Sequence, residues 1–470
     1  MSAVMGKRVL VIGLDCVPPE VVFERLRGEL PTLQRLMGEG AYGRLESVIP
    51  PITVPAWACM LTGKSPGELG IYGFRNRRDY SYDGLRLVTS RAVRAKAVWD
   101  HLSDAGKASI VVGVPPSYPP RALHGLMISC FLTPGPTSPY THPPELADEI
   151  ERLVGQGRYL FDVRQFRTDD KTWLKAQIFE LTAQRFAVVR HLLTTKPWDF
   201  FVVVDMGPDR LHHGFWKFWD PQHRQYEPGN PYEGVIPDYY RFLDEQLAQL
   251  LQLIDDETVV FIVSDHGAKR MDGGLCINEW LRREGLLTVQ REPEGVVPFE
   301  EAEVDWTRTV AWGEGGYYSR IFLNVRGREP QGAIAPSEYE SVRDELIRKL
   351  EALGDEQGRS IGTRVYRPEE LYPRVEGIAP DLIALLGDLH WRSIGGLGWG
   401  TIWTPENDTG PDDANHSQHG IFIAYGLERE GLQGELQGVK LLDVAPTLLE
   451  LFGLPVPPEL EGRSLLECAR

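Results

Sequence analysis

The chain has 470 residues, 42% of them hydrophobic and 25% charged, an ordinary globular composition with enough apolar residues for a large core. Asp and Glu total 67 against 50 Lys and Arg, a formal net charge of −17, which argues against a nucleic-acid partner because such binders carry a basic face. An anionic substrate would need positive charge supplied locally.

The first element in chain order is "RVLVIGLD", Arg8 to Asp15, a short apolar, β-branched run closed by an aspartate. Such near-continuous runs read as strands buried on both faces, as in parallel sheets. "ITVPAW" then introduces a helix. Thr53 is a good N-cap residue and Pro55 suits a first turn, which alone explains both. A helix N-terminus is also an anion site, so the Thr53 hydroxyl could equally meet a phosphate. "VWDHLSDAG" has helical apolar spacing, and "ASIVVGV" reads as a strand. Residues from about 133 to 195 are helix-rich with little strand signal and read as an insertion or cap.

"DFFVVVDMG", Asp199 to Gly207, repeats the strand-then-aspartate form, and "DRLHH" follows it. Asp209 and His213 are four apart, so one helical turn puts both on one face. Carboxylate plus imidazole at that spacing suits zinc, manganese or iron. An N-cap aspartate with an incidental histidine explains them equally well. "YRFLDEQLAQLLQLID" is a further helix, and "ETVVFIVSDHG", Glu257 to Gly267, a third strand of the same form. It brings Asp265 and His266, which can serve one ion only if the strand ends before them.

"SRIFLNV" and "PDLIALL" are further strand candidates of the buried kind, with the helix "SEYESVRDELIRKLEAL" between them. Residues 395–416 are rich in Gly, Pro and Asp and read as a long loop of the kind that is often functional. His416 and His419 follow in "NHSQHGIFIAYG"; either could complete a metal site, or both could be ordinary loop histidines. The strand "GIFIAYG" and the helix "LLDVAPTLLELFG" close the chain. The alternation predicts an α/β fold with helices on both faces of a mostly parallel sheet, in one domain spanning residues 1–470. Asp15, Asp209 and Asp265 would meet at the carboxyl edge of that sheet, where ligands bind in such folds. Their mutual repulsion is costly unless a cation lies among them or they lie apart, and any one of them is equally explained as a helix N-cap or turn aspartate.

Five scattered cysteines, Cys16, Cys59, Cys130, Cys276 and Cys468, form no CxxC pair. An odd number so placed suggests neither a disulfide framework nor a thiolate zinc site. The polar start before Arg8 leaves no room for a secretory signal, and no apolar run is long enough to span a bilayer. The expected location is cytoplasmic.

Taken together, "GLD", "ITVPAW", "LTGKSPGELGIYGF", "DRLHHGFW", "SDHG", "NHSQHGIFIAYG" and "LLDVAPTLLELFGLPVPPELEGRSL" resemble, in order and over nearly the whole chain, the alkaline phosphatase superfamily in its type I phosphodiesterase/nucleotide pyrophosphatase branch. The resemblance implies a three-layer α/β/α sandwich and a site for two divalent metal ions; mixed carboxylate and imidazole donors suit zinc first and manganese next. It assigns Asp209, His213 and His416 to one ion, and Asp15, Asp265 and His266 to the other together with the Thr53 oxygen. It chooses His416 over His419 because the family's last ligand stands a few residues before the Gly-Ile-Phe strand start. It also makes Thr53 the nucleophile of a phosphate-ester hydrolase that passes through a covalent phospho-threonine. Two divalent ions contribute +4 and the three aspartates −3, so the site carries +1 and favours a monoanionic diester. A dianionic monoester would profit from another cation, and Lys64, Arg75, Arg77 and Arg78 are nearby in sequence.

Three alternatives stand beside this reading. A sulfatase of the same fold would need Cys or Ser at Thr53, since threonine cannot become a formylglycine aldehyde. A phosphomonoesterase or phosphomutase would keep the metals and change the substrate. A non-catalytic anion- or partner-binding member would leave gaps among the ligands. Specificity is expected from residues 75–82, the helix-rich segment and the 395–416 loop. Trp391, Trp399 and Trp403 could stack on a base or sugar, though packing explains them as well.

Overall fold

Among the described residues of the computed structural model, 7–405 and 407–468, nine strands form a central sheet. In chain order they are β1 (Arg8–Leu14), β2 (Ala41–Glu46), β3 (Ser109–Val112), β4 (Gly125–Ile128) and β5 (Thr141–His142), then β6 (Phe200–Asp205), β7 (Thr258–Val263), β8 (His419–Tyr425) and β9 (Gly434–Lys440). Across the sheet they run β9-β2-β8-β7-β1-β6-β3-β4-β5. β1 lies between β6 and β7, parallel to both, and β3 is parallel to β6 and β4. Only β8 and the two-residue β5 run against the others. The centre consists of continuous Val, Ile, Leu and Phe because helices cover both faces and leave no solvated side to alternate toward.

One helical layer contains α1 (Pro31–Glu39). The other begins with α2 (Thr53–Thr62) and α3 (Val98–Asp104). Three long helices, α4 (Lys171–Thr195), α5 (Gly207–Trp219) and α6 (Val235–Leu251), pack on one another beside α1, while α7 (Val444–Leu451) packs on α2 and α3. This is the expected three-layer α/β/α sandwich. Residues 133–195 hold the helix Leu146–Val154 and α4, and α4 sinks Leu174, Ile178, Leu181 and Phe186 into the same core as β1 and β6.

Two sequence expectations need correction. Ser319–Leu323 and Leu382–Leu385 are strands, but they lie in a separate antiparallel four-stranded sheet with Ala311–Glu314 and Arg364–Tyr366. With a three-stranded sheet that contains Gly273–Cys276, they enclose a second apolar core around Trp280, Trp312, Ile321 and Phe322. An apolar run reports burial, not the direction of its partner, so the two kinds of sheet look alike in sequence. The 395–416 segment is also not all loop. Trp403–Thr404 pairs with Gly274 and Leu275, and Ala414–Ser417 pairs antiparallel with Gly267–Arg270. Both strands are too short to show a period. Trp391 and Trp403 face each other, ring centres 4.5 Å apart, and pack in the second core.

Candidate metal centre

The parallel strands deliver their ends to one edge. β1 stops at Leu14, and the Asp15 N–H donates to the Asp205 carbonyl at 3.0 Å, which extends the ladder by one residue. β7 stops at Val263, and Asp265 and His266 occupy the turn before Gly267. α5 begins just beyond β6 and carries Asp209 in its first turn, with His213 one turn on. β8 runs the other way, so the chain entering it passes the same edge. His416 there pairs with Ala268, which locks it beside the Asp265–His266 turn. His419 stands outside this group, as the first residue of β8 opposite Glu46.

Thr53 is the first helical residue of α2, and its side chain does not cap the helix; Ile52 holds the cap position. Its Oγ1 faces His266 Nε2 at 3.3 Å and Asp15 Oδ1 at 3.5 Å. The capping explanation of Thr53 is therefore not the one the fold uses.

The six other predicted residues fall into two adjoining groups. Asp15, Asp265 and His266 offer ligand atoms within 4.8 Å of one another, and so do Asp209, His213 and His416. His266 Nε2 is 3.2 Å from Asp265 Oδ2; His213 Nε2 and His416 Nε2 are 3.2 and 3.7 Å from Asp209 Oδ1. The His266 and His416 rings stack at 3.9 Å and join the groups. All six are buried, none more than 2% exposed.

The imidazoles are oriented for cations. Each presents Nδ1 to an acceptor: His213 to Asp412 Oδ1 at 2.7 Å, His266 to the Gly267 carbonyl at 3.1 Å, His416 to the Pro51 carbonyl at 3.0 Å. A nitrogen facing an acceptor must carry the proton, so in each neutral ring Nε2 is left as a free lone pair. His213 Nε2, His416 Nε2 and Asp265 Oδ2 have no hydrogen-bond partner although fully buried, a costly state for polar atoms. Three carboxylates and three imidazoles so arranged fit two divalent ions.

The electrostatics carry the same strain. Burial, with the neighbouring Asp209 carboxylate, raises Asp15 well above the ordinary carboxylate range, and burial with Asp15 does the same to Asp265. Burial acts upward on Asp209 too, but His213 and Arg210 outweigh it and hold the group well below that range. His213 is lowered by burial, yet Asp412 and Asp209 lift it to about 9. His266 is pushed down to about 4 by burial, and His416 well below normal by burial and its neighbouring imidazoles.

Several contributors were not read from the sequence. Trp57 Nε1 donates to Asp15 Oδ2 at 2.7 Å. Gly13 makes room for this indole, since a Cβ there would lie 2.4 Å from the ring. Asp412 binds His213, Arg167 Nε at 3.0 Å and the Tyr317 hydroxyl at 3.2 Å. Arg210 pairs with Asp209 and grips Asp162 at 2.7 and 2.9 Å. The acidic pair just before "ANH" was the one available signal for Asp412. Three of the four cations suggested by sequence proximity are engaged elsewhere: Lys64 with Glu68, Arg77 with Glu329, Arg78 with Asp79.

A sequence model described as type I phosphodiesterase / nucleotide pyrophosphatase matches residues 9–421. Human ectonucleotide pyrophosphatase / phosphodiesterase 5 superposes with a TM-score of 0.55 at 14% identity, over 96% of each chain, which is a likeness of fold. Two short stretches resemble 2,3-bisphosphoglycerate-independent phosphoglycerate mutases. One, from Aeromonas salmonicida (strain A449), is 40% identical over 62 residues, 13% of this chain and 11% of that enzyme. The other, from Synechococcus sp. (strain JA-2-3B'a(2-13)), is 72% identical over 29 residues, 6% of each. With the family match running from β1 into β8 and so across both ligand groups, the chain belongs to the type I phosphodiesterase / nucleotide pyrophosphatase family.

Proposed function

We propose that this protein is a metal-dependent phosphodiesterase, acting on a phosphodiester or a nucleotide pyrophosphate linkage through a covalent phospho-threonine at Thr53. The observation that carries this reading is the Thr53 hydroxyl, buried, not used as a helix cap, and aimed at Asp15 and His266. Divalent cations held by Asp15, Asp265, His266 and Thr53, and by Asp209, His213 and His416, would supply charge that acidifies a hydroxyl and offsets a transferring phosphoryl group. The mixed donors suit zinc first and manganese next.

Thr53 Oγ1 forms the new bond to phosphorus as the bond to the departing alcohol breaks, and its proton ends on that alcohol. Water then cleaves the threonyl ester, restores the hydroxyl and releases the monoester. Thr53 stands at the start of α2, and a helix N-terminus favours an anion; the side chains around it are buried. Arg210 and Arg167, the guanidinium groups beside the ligands, are already bound to carboxylates. They add little net charge, and a monoanionic diester suits a +1 site better than a dianionic monoester.

One observation favours a second reading, a phosphomutase: the two short stretches shared with phosphoglycerate mutases. An activated aryl phosphodiester and the matching monoester, each assayed with zinc and with manganese, separate the cases. Preference for the diester supports the proposal. Monoester preference, or isomerisation of a phosphate ester without release of an alcohol, overturns it. A cytoplasmic location fits the buried, unbridged side chains of Cys16, Cys59, Cys130 and Cys276.

A further inference from the structure

The Asp209–His213–His416 group has a fourth member. Cys16 Sγ lies within 4.8 Å of the ligand atoms of all three. We propose that the Cys16 thiolate is a fourth ligand to the cation held by Asp209, His213 and His416, and that it makes this half of the centre selective for zinc over manganese or magnesium. The inference rests on the two-cation reading of the site and adds a donor that reading did not contain.

A buried cysteine is usually a small apolar filler. Cys59, Cys130 and Cys276 suit that description, and none of them joins a donor group among the described residues. Cys16 packs against the main apolar core too, but its sulfur is fully buried and faces the carboxylate and imidazoles of one ligand group. Its sulfur makes a long contact to the Gly267 carbonyl at 3.4 Å and is also in hydrogen-bonding reach of the Asp209 carboxylate. Around it, His213 Nε2 and His416 Nε2 are fully buried, unpartnered, and directed into the same space. Those orphaned nitrogens point to an ion independently of the sulfur, and the sulfur is placed to share it.

The backbone at Cys16 is unusual. Its φ is 66°, a left-handed conformation that favours glycine and is uncommon for a side chain with a Cβ. The N–H of the same residue donates to Asp265 Oδ1 at 3.3 Å. Asp15 and Cys16 thus sit back to back at the end of β1, one donor for each group. Sulfur is a soft donor that discriminates for zinc and against the oxygen-preferring ions. On binding, the thiol proton leaves to solvent, and the site falls from +1 to neutral, which turns it further from dianionic monoesters.

The test uses the full-length protein, stripped of metal and reloaded with zinc or cobalt to two equivalents. Zinc X-ray absorption of the wild type should show one sulfur per two zinc ions at about 2.3 Å, and the cobalt form a thiolate charge-transfer band in the near ultraviolet. Cys16→Gly, which suits the left-handed backbone, should fold and lose both signals. It should bind zinc at one of its two sites roughly tenfold or more weakly and discriminate less against manganese. Cys16→Ser should also lose the sulfur signals. Two bound ions with only nitrogen and oxygen donors, or a sulfur signal that survives in Cys16→Gly, overturn the thiolate ligand alone. A protein that binds no divalent cation overturns it together with the two-cation reading.

Discussion

Asp412 holds His213 by the nitrogen that faces away from the ligand group: its Oδ1 is 2.7 Å from Nδ1, leaving Nε2 directed at Asp209. A carboxylate behind a ligand imidazole fixes the tautomer and increases its basicity, and losing such a partner typically costs about 10–100-fold in metal affinity. Asp412 is itself held by Arg167 and Tyr317, so the imidazole rests on a braced support. Asp412→Asn should weaken one of two bound ions by about that factor while the other is unaffected. A competition titration against a chromophoric chelator reads both. Equal affinities in the variant and wild type would remove Asp412 from this role.

Thr53→Ala separates nucleophile from ligand. The hydroxyl caps nothing and sits among Asp15 and His266 rather than in an apolar pocket. Its removal should change stability by less than about 1 kcal/mol. Turnover of an aryl diester should nevertheless fall by roughly a thousandfold or more, as loss of a nucleophile does elsewhere, with the metal-to-protein ratio kept. A variant that retains wild-type turnover would end the phospho-threonine mechanism.

The residues legible in advance were those announced by strong local signals. Asp15 and Asp265 close apolar runs, so their place at a sheet edge followed from strand physics. Asp209 and His213 are one helical turn apart. His416 was different: its strand, Ala414–Ser417, is short and polar, and only the resemblance singled it out. Asp412 and Cys16 reach the site through turns that no spacing encodes, and Trp57, one helical turn after Thr53, reaches Asp15 by a contact between elements far apart in sequence. The second core was hidden for another reason. Ser319–Leu323 and Leu382–Leu385 show the same apolar character as β1 and β7, and sequence carries burial but not the choice of sheet.

Arg77 ties the hairpin Arg75–Leu87 to the second core. Its guanidinium pairs with Glu329 at 3.1 Å, with both side chains nearly inaccessible. Breaking a buried pair from one side costs about 3–5 kcal/mol when the remaining charge is left alone. Glu329 would keep Arg328 and the Val325 N–H, each at 2.9 Å. Arg77→Met should therefore cost less, about 2 kcal/mol, seen in urea unfolding. Glu329→Ala strips a shared acceptor from Arg77, Arg328 and Val325 and should cost more than Arg77→Met. The reverse order would show that Glu329 is not the hub.

Metal removal should destabilise the protein, and the loss should grow with pH. Without cations, Asp15 and Asp265 have folded-state pKa values raised well above the ordinary one, by burial first and then by neighbouring carboxylates. A carboxyl raised in this way favours the fold fully while both states are protonated, below the unfolded value near 4. That contribution is lost as pH rises toward the folded-state value, because the unfolded chain has released its protons and the folded one has not. Bound cations replace those protons and remove the penalty, and their affinity itself rises as ligands deprotonate. The melting temperature of the chelated protein should thus fall further below that of the metal-loaded protein at pH 8 than at pH 5. An equal difference at the two pH values would mean that the buried aspartates are not what the cations neutralise.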